Sequence, residues 1–166
     1  MTLKKRMIAG IIAILFMTCP SITVNATVSN KDTYISEEVQ AACIKYGEEY
    51  NICPELLMAM CEKESSGKAD AKNGSCKGVL QVNEKFHKER MKRLGVTDLY
   101  DIESNINVAA DYLLELFEEN GDIYLVLMKY NMGDATAERL YEQGIYSKYA
   151  ISITERSEEL ERIHGQ

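Results

Sequence analysis

The sequence predicts one mainly α-helical domain over residues 36–166, with at most a small β or turn region near residues 76–83. Three observations lead there. Apolar residues recur at three- and four-residue steps along most of the chain after residue 36, the spacing of a helix with one buried face. Helix start and stop residues flank those stretches. Only one short segment, 78–83, carries a strand-like composition, with Val79 and Val82. No internal repeat and no long linker divides the chain, so one packed unit is the economical reading.

After a polar lead-in at 27–35, Ser36-Glu37-Glu38 suits a helix start, with acidic residues in the first turn, and that helix runs to about Tyr50. Asn51-Ile52-Cys53 breaks it. Pro54 then sits where proline is pre-organised for the first turn of a second helix, which Ser66-Gly67 ends. Residues 68–77 are small, polar and glycine-bearing, and read as loop. Residues 83–93 are charged and read as a surface helix. Between Asn105 and Asn120, the residues Ile106, Ala109, Ala110, Leu113, Leu114 and Phe117 fall on one helical face, closed by Gly121. Residues 123–130 are apolar nearly all round, which marks a helix buried on most sides. Two further helices, about 134–143 and 147–163, complete the chain.

Residues 1–26 stand apart. Lys4, Lys5 and Arg6 precede an uncharged run from Met7 to Pro20 and then Val24-Asn25-Ala26, the order of a secretory signal peptide; the alternative is an uncleaved membrane anchor. Phe16-Met17-Thr18 lacks the small residues that precede a lipidated cysteine, which counts against Cys19 as an anchor. Cleavage after Ala26 leaves 16 Lys and Arg against 26 Asp and Glu. So acidic a domain argues against nucleic acid as a partner, since that affinity rests on neutralising phosphates. It fits an exported protein, secreted or held at the cell envelope. Cys43, Cys53, Cys61 and Cys76 remain, an even number in an exported chain, and are candidates for one or two disulfides in any of three pairings. Their irregular gaps, with no Cys-x-x-Cys and no nearby histidine pair, do not suit zinc, and Cys61 reads equally well as a buried thiol. The loop at 70–75 puts Lys72 and Gly74 where a calcium loop needs oxygen ligands. No metal or cofactor is expected. His87 and His164 lie among charged residues and read as surface.

Leu57, Met60, Cys61 and Glu64 share one helical face, so a carboxylate sits among residues that should be packing. A buried carboxylate is costly unless it finds a partner, shifts its pKa or has a chemical role. Partial burial raises the pKa, which is what a general acid needs near neutral pH. The plainer reading is a helix-end glutamate paired with Lys68.

Three short segments add to this: Glu64-Ser65-Ser66-Gly67, Gly78-Val79-Leu80-Gln81-Val82 and Tyr130-Asn131-Met132-Gly133, with the helix beginning Asn105-Ile106-Asn107 between the last two. In order and spacing they resemble the Slt-type lytic transglycosylase domain, a lysozyme-like family acting on the peptidoglycan glycan strand, over about residues 37–150. The resemblance implies a lysozyme-like fold with a substrate cleft and Glu64 as the single catalytic group. In that family the acid protonates the oxygen between N-acetylmuramic acid and N-acetylglucosamine. It then takes the proton of the muramoyl C6 hydroxyl, which closes a 1,6-anhydro ring. By the same resemblance Gln81 points into the cleft, Tyr130 lies beside Glu64 and helps hold it, and Ser65 and Asn131 are candidates for substrate contact. Gln81 as a satisfied amide, Tyr130 as a core aromatic, Ser65 as a helix-end hydroxyl and Asn131 as a turn former are the structural alternatives. Leu80 stands where the family often has Met, and Gly67-Lys68 where it commonly has Asn-Pro. The implied partner is the peptidoglycan strand, acted on by a monomer, with a cell-envelope secretion or conjugation machine as a further candidate. Two other functions stay open: a hydrolytic muramidase, for which Asp70 is the nearest second carboxylate, and a wall-binding accessory without turnover.

Overall fold

The computed structural model describes residues 32–165. The leader at 1–26, the anchor alternative and Cys19 lie outside them. In chain order the elements are α1 (Glu37–Tyr50), α2 (Pro54–Ser65), β1 (Lys72–Asn73), β2 (Cys76–Lys77), β3 (Val82–Asn83), α3 (Lys88–Leu94), α4 (Ile102–Asn120), α5 (Ile123–Met132), α6 (Asp134–Glu142) and α7 (Lys148–His164). The three short strands form one antiparallel sheet in the order β1-β2-β3, with Lys72 opposite Lys77 and Cys76 opposite Asn83. The mainly helical reading with a small β region therefore holds.

Helix ends follow side-chain chemistry. Ser36, Asp101, Asp122 and Ser147 each accept a hydrogen bond from a backbone N–H of the first turn they precede, which satisfies donors the helix leaves unpaired. Asp101 starts α4 three residues ahead of the Asn105 expected from the apolar pattern, because the Asp101 cap extends the helix beyond its apolar face. At the other end of α2, Ser66 itself takes the left-handed conformation, at φ 56°, ahead of Gly67. Gly67 is needed for a different reason: a Cβ there would lie 2.7 Å from Ile35 Cγ2.

Helix α2 packs between α1 and α7, and α5 lies against α4, α6 and α7. Leu56, Leu57, Met58, Ala59, Met60 and Cys61 are all buried, so α2 is enclosed on nearly every side. Burial of Leu56, Leu57, Met58 and Met60 contributes about 6–12 kcal/mol by surface-transfer reckoning. That gain offsets the cost of withdrawing one carboxylate partly from water on the same helix. So α2 can carry a partly desolvated acid on its packed face.

Two readings need correction. Among the described residues Cys43, Cys53, Cys61 and Cys76 are all free thiols. Cys43 and Cys61 meet between α1 and α2 with sulfurs 3.9 Å apart, a packing contact rather than a bond of about 2 Å. Cys53 lies against Glu55 and Glu161, and Cys76 faces the cleft. The histidines are not surface groups either. His87 is buried, and His164 is covered where its Nδ1 meets Glu55 Oε1 at 2.8 Å. Charged neighbours in sequence do not mark exposure here: Arg90 packs onto His87, its Nε donating to His87 Nδ1 at 3.3 Å. Residues 68–77, read as loop, contain β1 and β2.

Helix α7 is fastened to α2 by a buried ion pair. Arg156 Nε donates to Glu62 Oε2 at 2.7 Å and Arg156 Nη2 to Glu62 Oε1 at 3.0 Å, while Thr33 Oγ1 donates to Glu62 Oε1. Glu62 is 6% exposed, so deletion of its partner strands a charge in the core. Arg156→Ala is expected to destabilise the fold by about 3–5 kcal/mol, measured by denaturant unfolding.

Candidate active site

A cleft of about 720 Å³ opens at the C-terminal end of α2 and is lined by Glu64, Ser65, Gln81, Tyr130 and Asn131 among others. The structure thus brings the five sequence-predicted site residues into one place. Of the side chains that line the cleft, Glu64 is the only carboxylate. Asp70 is exposed on the following loop and does not line it. Among the described residues, no group of three or more His, Cys, Asp or Glu is disposed to hold a metal ion.

Glu64 sits at the last turn of α2, partly buried. Burial raises its pKa above the usual carboxylate value of 4.5, opposed by a hydrogen bond from Tyr149 and by the Lys63 charge. Tyr149, on the first turn of α7, donates its hydroxyl to Glu64 Oε1 in a short hydrogen bond. Burial and the neighbouring Glu64 carboxylate push the Tyr149 hydroxyl well above its ordinary range, so it stays a donor. That bond engages Oε1 and not Oε2.

Tyr130 lines the cleft with Glu64; burial and then that nearby carboxylate raise its pKa, while its hydrogen bond goes elsewhere. Its hydroxyl donates to Leu80 O at 2.8 Å and ties α5 to the turn at 78–81. Ser65 does likewise from α2, donating to Val79 O at 2.8 Å. Gln81 lines the cleft in a left-handed conformation, at φ 47°, and its Nε2 donates to Gly78 O at 2.9 Å. A non-glycine residue held there stores strain on the order of 1 kcal/mol, which the surrounding turn must offset. Asn131 is exposed at the rim. Tyr149 was missed from sequence, although it begins the buried stripe Tyr149, Ile153, Ser157 and Leu160 along α7.

Below the turn lies Asn105, fully buried on α4. Its Oδ1 accepts from Leu80 N at 2.8 Å, and its Nδ2 donates to Lys77 O and to Leu99 O, each at 2.8 Å. Gly78 makes room for this amide: a Cβ would lie 2.2 Å from Asn105 Nδ2 and from Leu99 O, at φ 76°. The backbone approach needs glycine on both counts.

The sequence pattern of the family described as Transglycosylase SLT domain matches residues 41–150. The chain belongs to that family. It is similar to Protein IpgF of Shigella flexneri, 33% identical over 131 residues that cover 72% of this chain and 86% of that protein, and equally to Protein IpgF of Shigella sonnei. In fold it is similar to an inactive mutant of the lytic transglycosylase Slt from Pseudomonas aeruginosa, with a TM-score of 0.61 and 19% identity. That likeness covers 76% of this chain and 24% of the Slt chain, so this SLT-family chain spans about a quarter of that neighbour's length.

Three outcomes are expected. Asn105→Ala leaves three backbone groups without their partner and should cost about 2–4 kcal/mol in denaturant unfolding, with Asn105→Asp losing the two donated bonds as well. Tyr149→Phe removes a hydrogen bond to the charged form of Glu64. It should move the Glu64 titration midpoint to higher pH, read by carbon-13 NMR of the labelled carboxyl, because the bond it deletes had held the pKa down. Glu64 binds its proton more tightly folded than unfolded, so it subtracts stability as pH rises from 4.5 through its raised value. Glu64→Gln should therefore raise Tm at pH 7 and leave it unchanged near pH 3.

Proposed function

We propose that the protein is a peptidoglycan lytic transglycosylase in which Glu64 serves first as general acid and then as base. The observation that carries this reading is the solitary carboxylate in the cleft. Ordinary glycosidases place a second carboxylate opposite the acid, as nucleophile or to activate water. A transglycosylase needs none, because the attacking hydroxyl belongs to the substrate.

Glu64 Oε2–H would protonate the oxygen between the muramoyl and glucosaminyl residues, and positive charge would develop at the muramoyl anomeric carbon. As the bond breaks, Glu64 becomes a carboxylate, and the Tyr149 hydroxyl stabilises the charge that appears on Oε1. The carboxylate then accepts the proton of the muramoyl C6 hydroxyl while that oxygen bonds to the anomeric carbon. The acid is regenerated and no water is consumed. Family membership supports this chemistry, and so does the burial that raises the pKa of Glu64, the direction a general acid needs. A wall substrate also agrees with an exported protein, the reading of the basic and apolar segment at 1–26.

Mass analysis of digested cell-wall glycan tests the proposal. Muropeptides ending in 1,6-anhydromuramic acid are expected, together with a loss of at least about a thousandfold in Glu64→Gln. Reducing ends alone would mean hydrolysis. Binding without any product would mean an accessory role.

A further inference from the structure

Phe86 is 72% exposed, the most exposed of the large apolar side chains among the described residues, and it lines the same cleft as Glu64. A single exposed phenylalanine is ordinary; this one heads a row of rings. Its ring lies 5.0 Å from His87 at 82° and 6.2 Å from Tyr112 at 62°; His87 lies 4.6 Å from Tyr112, and Tyr112 lies 5.7 Å from Tyr130. All four rings line the cleft. The position of Phe86 is set by its backbone. Asn83 Oδ1 accepts from Lys85 N at 3.1 Å and from Phe86 N at 3.2 Å, a tight turn directly after β3. The edge contacts with His87 and Tyr112 back the ring, and the rest of it stands in solvent.

His87 adds a polar group to this wall. Arg90 Nε donates to His87 Nδ1 at 3.3 Å, so in the neutral ring the proton sits on Nε2. Arg90 is itself anchored, by Asp111 at 2.5 Å and Glu115 at 2.8 Å, and lies over the Tyr112 ring at 5.0 Å. Burial and the adjacent Arg90 charge lower the His87 pKa to about 4, so the ring stays neutral over the physiological range.

A flat apolar face beside a fixed N–H donor matches the chemistry of a pyranose, which has an apolar C–H face and a rim of hydroxyl and acetamido oxygens. We propose that Phe86 and His87 form a saccharide subsite of this cleft, Phe86 covering the C–H face of one sugar ring and His87 Nε2–H donating to an oxygen of the same strand. The inference rests on the glycan reading of the cleft given above and assigns to it two residues outside the acid and the turn at 78–81.

The test is binding in the absence of turnover. Glu64→Gln protein is titrated calorimetrically with peptide-free oligosaccharides of the peptidoglycan glycan strand. Phe86→Ala in that background is expected to weaken binding by about tenfold or more, the scale of one buried aromatic face, and Phe86→Trp to stay within about threefold of the parent. His87→Phe, which keeps a ring and removes the donor, is expected to lose about threefold to tenfold. The melting temperature of Phe86→Ala should not change, since the side chain is exposed. In the Glu64-containing protein, Phe86→Ala should raise KM while leaving kcat within about threefold. Parent binding that survives Phe86→Ala within about twofold overturns the subsite alone. A Glu64→Gln parent that binds no glycan overturns both the subsite and the function it rests on.

Discussion

The three hydrogen bonds of the Asn105 amide are the constraint on which the site depends. They hold the backbone at 77–80 against α4 and Leu99, inside a core where unpaired polar groups cost about 1–3 kcal/mol each. Two side chains from other helices then use that fixed turn as an anchor, Ser65 from the end of α2 and Tyr130 from α5. The turn is thus the joint between three helices. One of them, α2, ends at the glutamate.

The second determinant is the seating of α7. The charge pair of Arg156 with Glu62 and the contact of His164 with Glu55 draw α7 along α2 at well-separated points. Tyr149 lies at the near end of α7, and those contacts help seat the helix whose first turn brings its hydroxyl to Glu64. Burial favours the protonated acid, and the tyrosine favours the carboxylate. Burial is the larger influence, and the net effect is a raised pKa.

Much of this was legible in the chain. The helices follow from periodicity and caps, and the placement of Glu64 on the packed face of α2 follows from its spacing to Leu57, Met60 and Cys61. The turn at 78–81 was visible as a motif, but its function was not. Gln81 and Tyr130 bear on backbone carbonyls, and sequence records residue types without their partners. Asn105 looked like the first residue of an apolar face, since nothing local marks an amide that bonds residues 25 to 28 positions away. Tyr149 was one of ten tyrosines, 85 positions from the group it serves. The histidines read as surface groups because charge in sequence suggests solvent, whereas Arg90 folds onto His87 and His164 meets the buried Glu55, 109 positions away. Cysteine count suggested covalent staples, whereas packing alone brings Cys43 to Cys61.

All of these contacts converge on a single titration. With Glu64 labelled with carbon-13 at its carboxyl, the chemical shift followed against pH in the unliganded protein reports where that group gives up its proton. A midpoint clearly above the ordinary glutamate value of 4.5 agrees with an acid held neutral by the packed end of α2. A midpoint at or below that value would mean that the carboxyl is already ionised at working pH, with no proton to give to a sugar linkage.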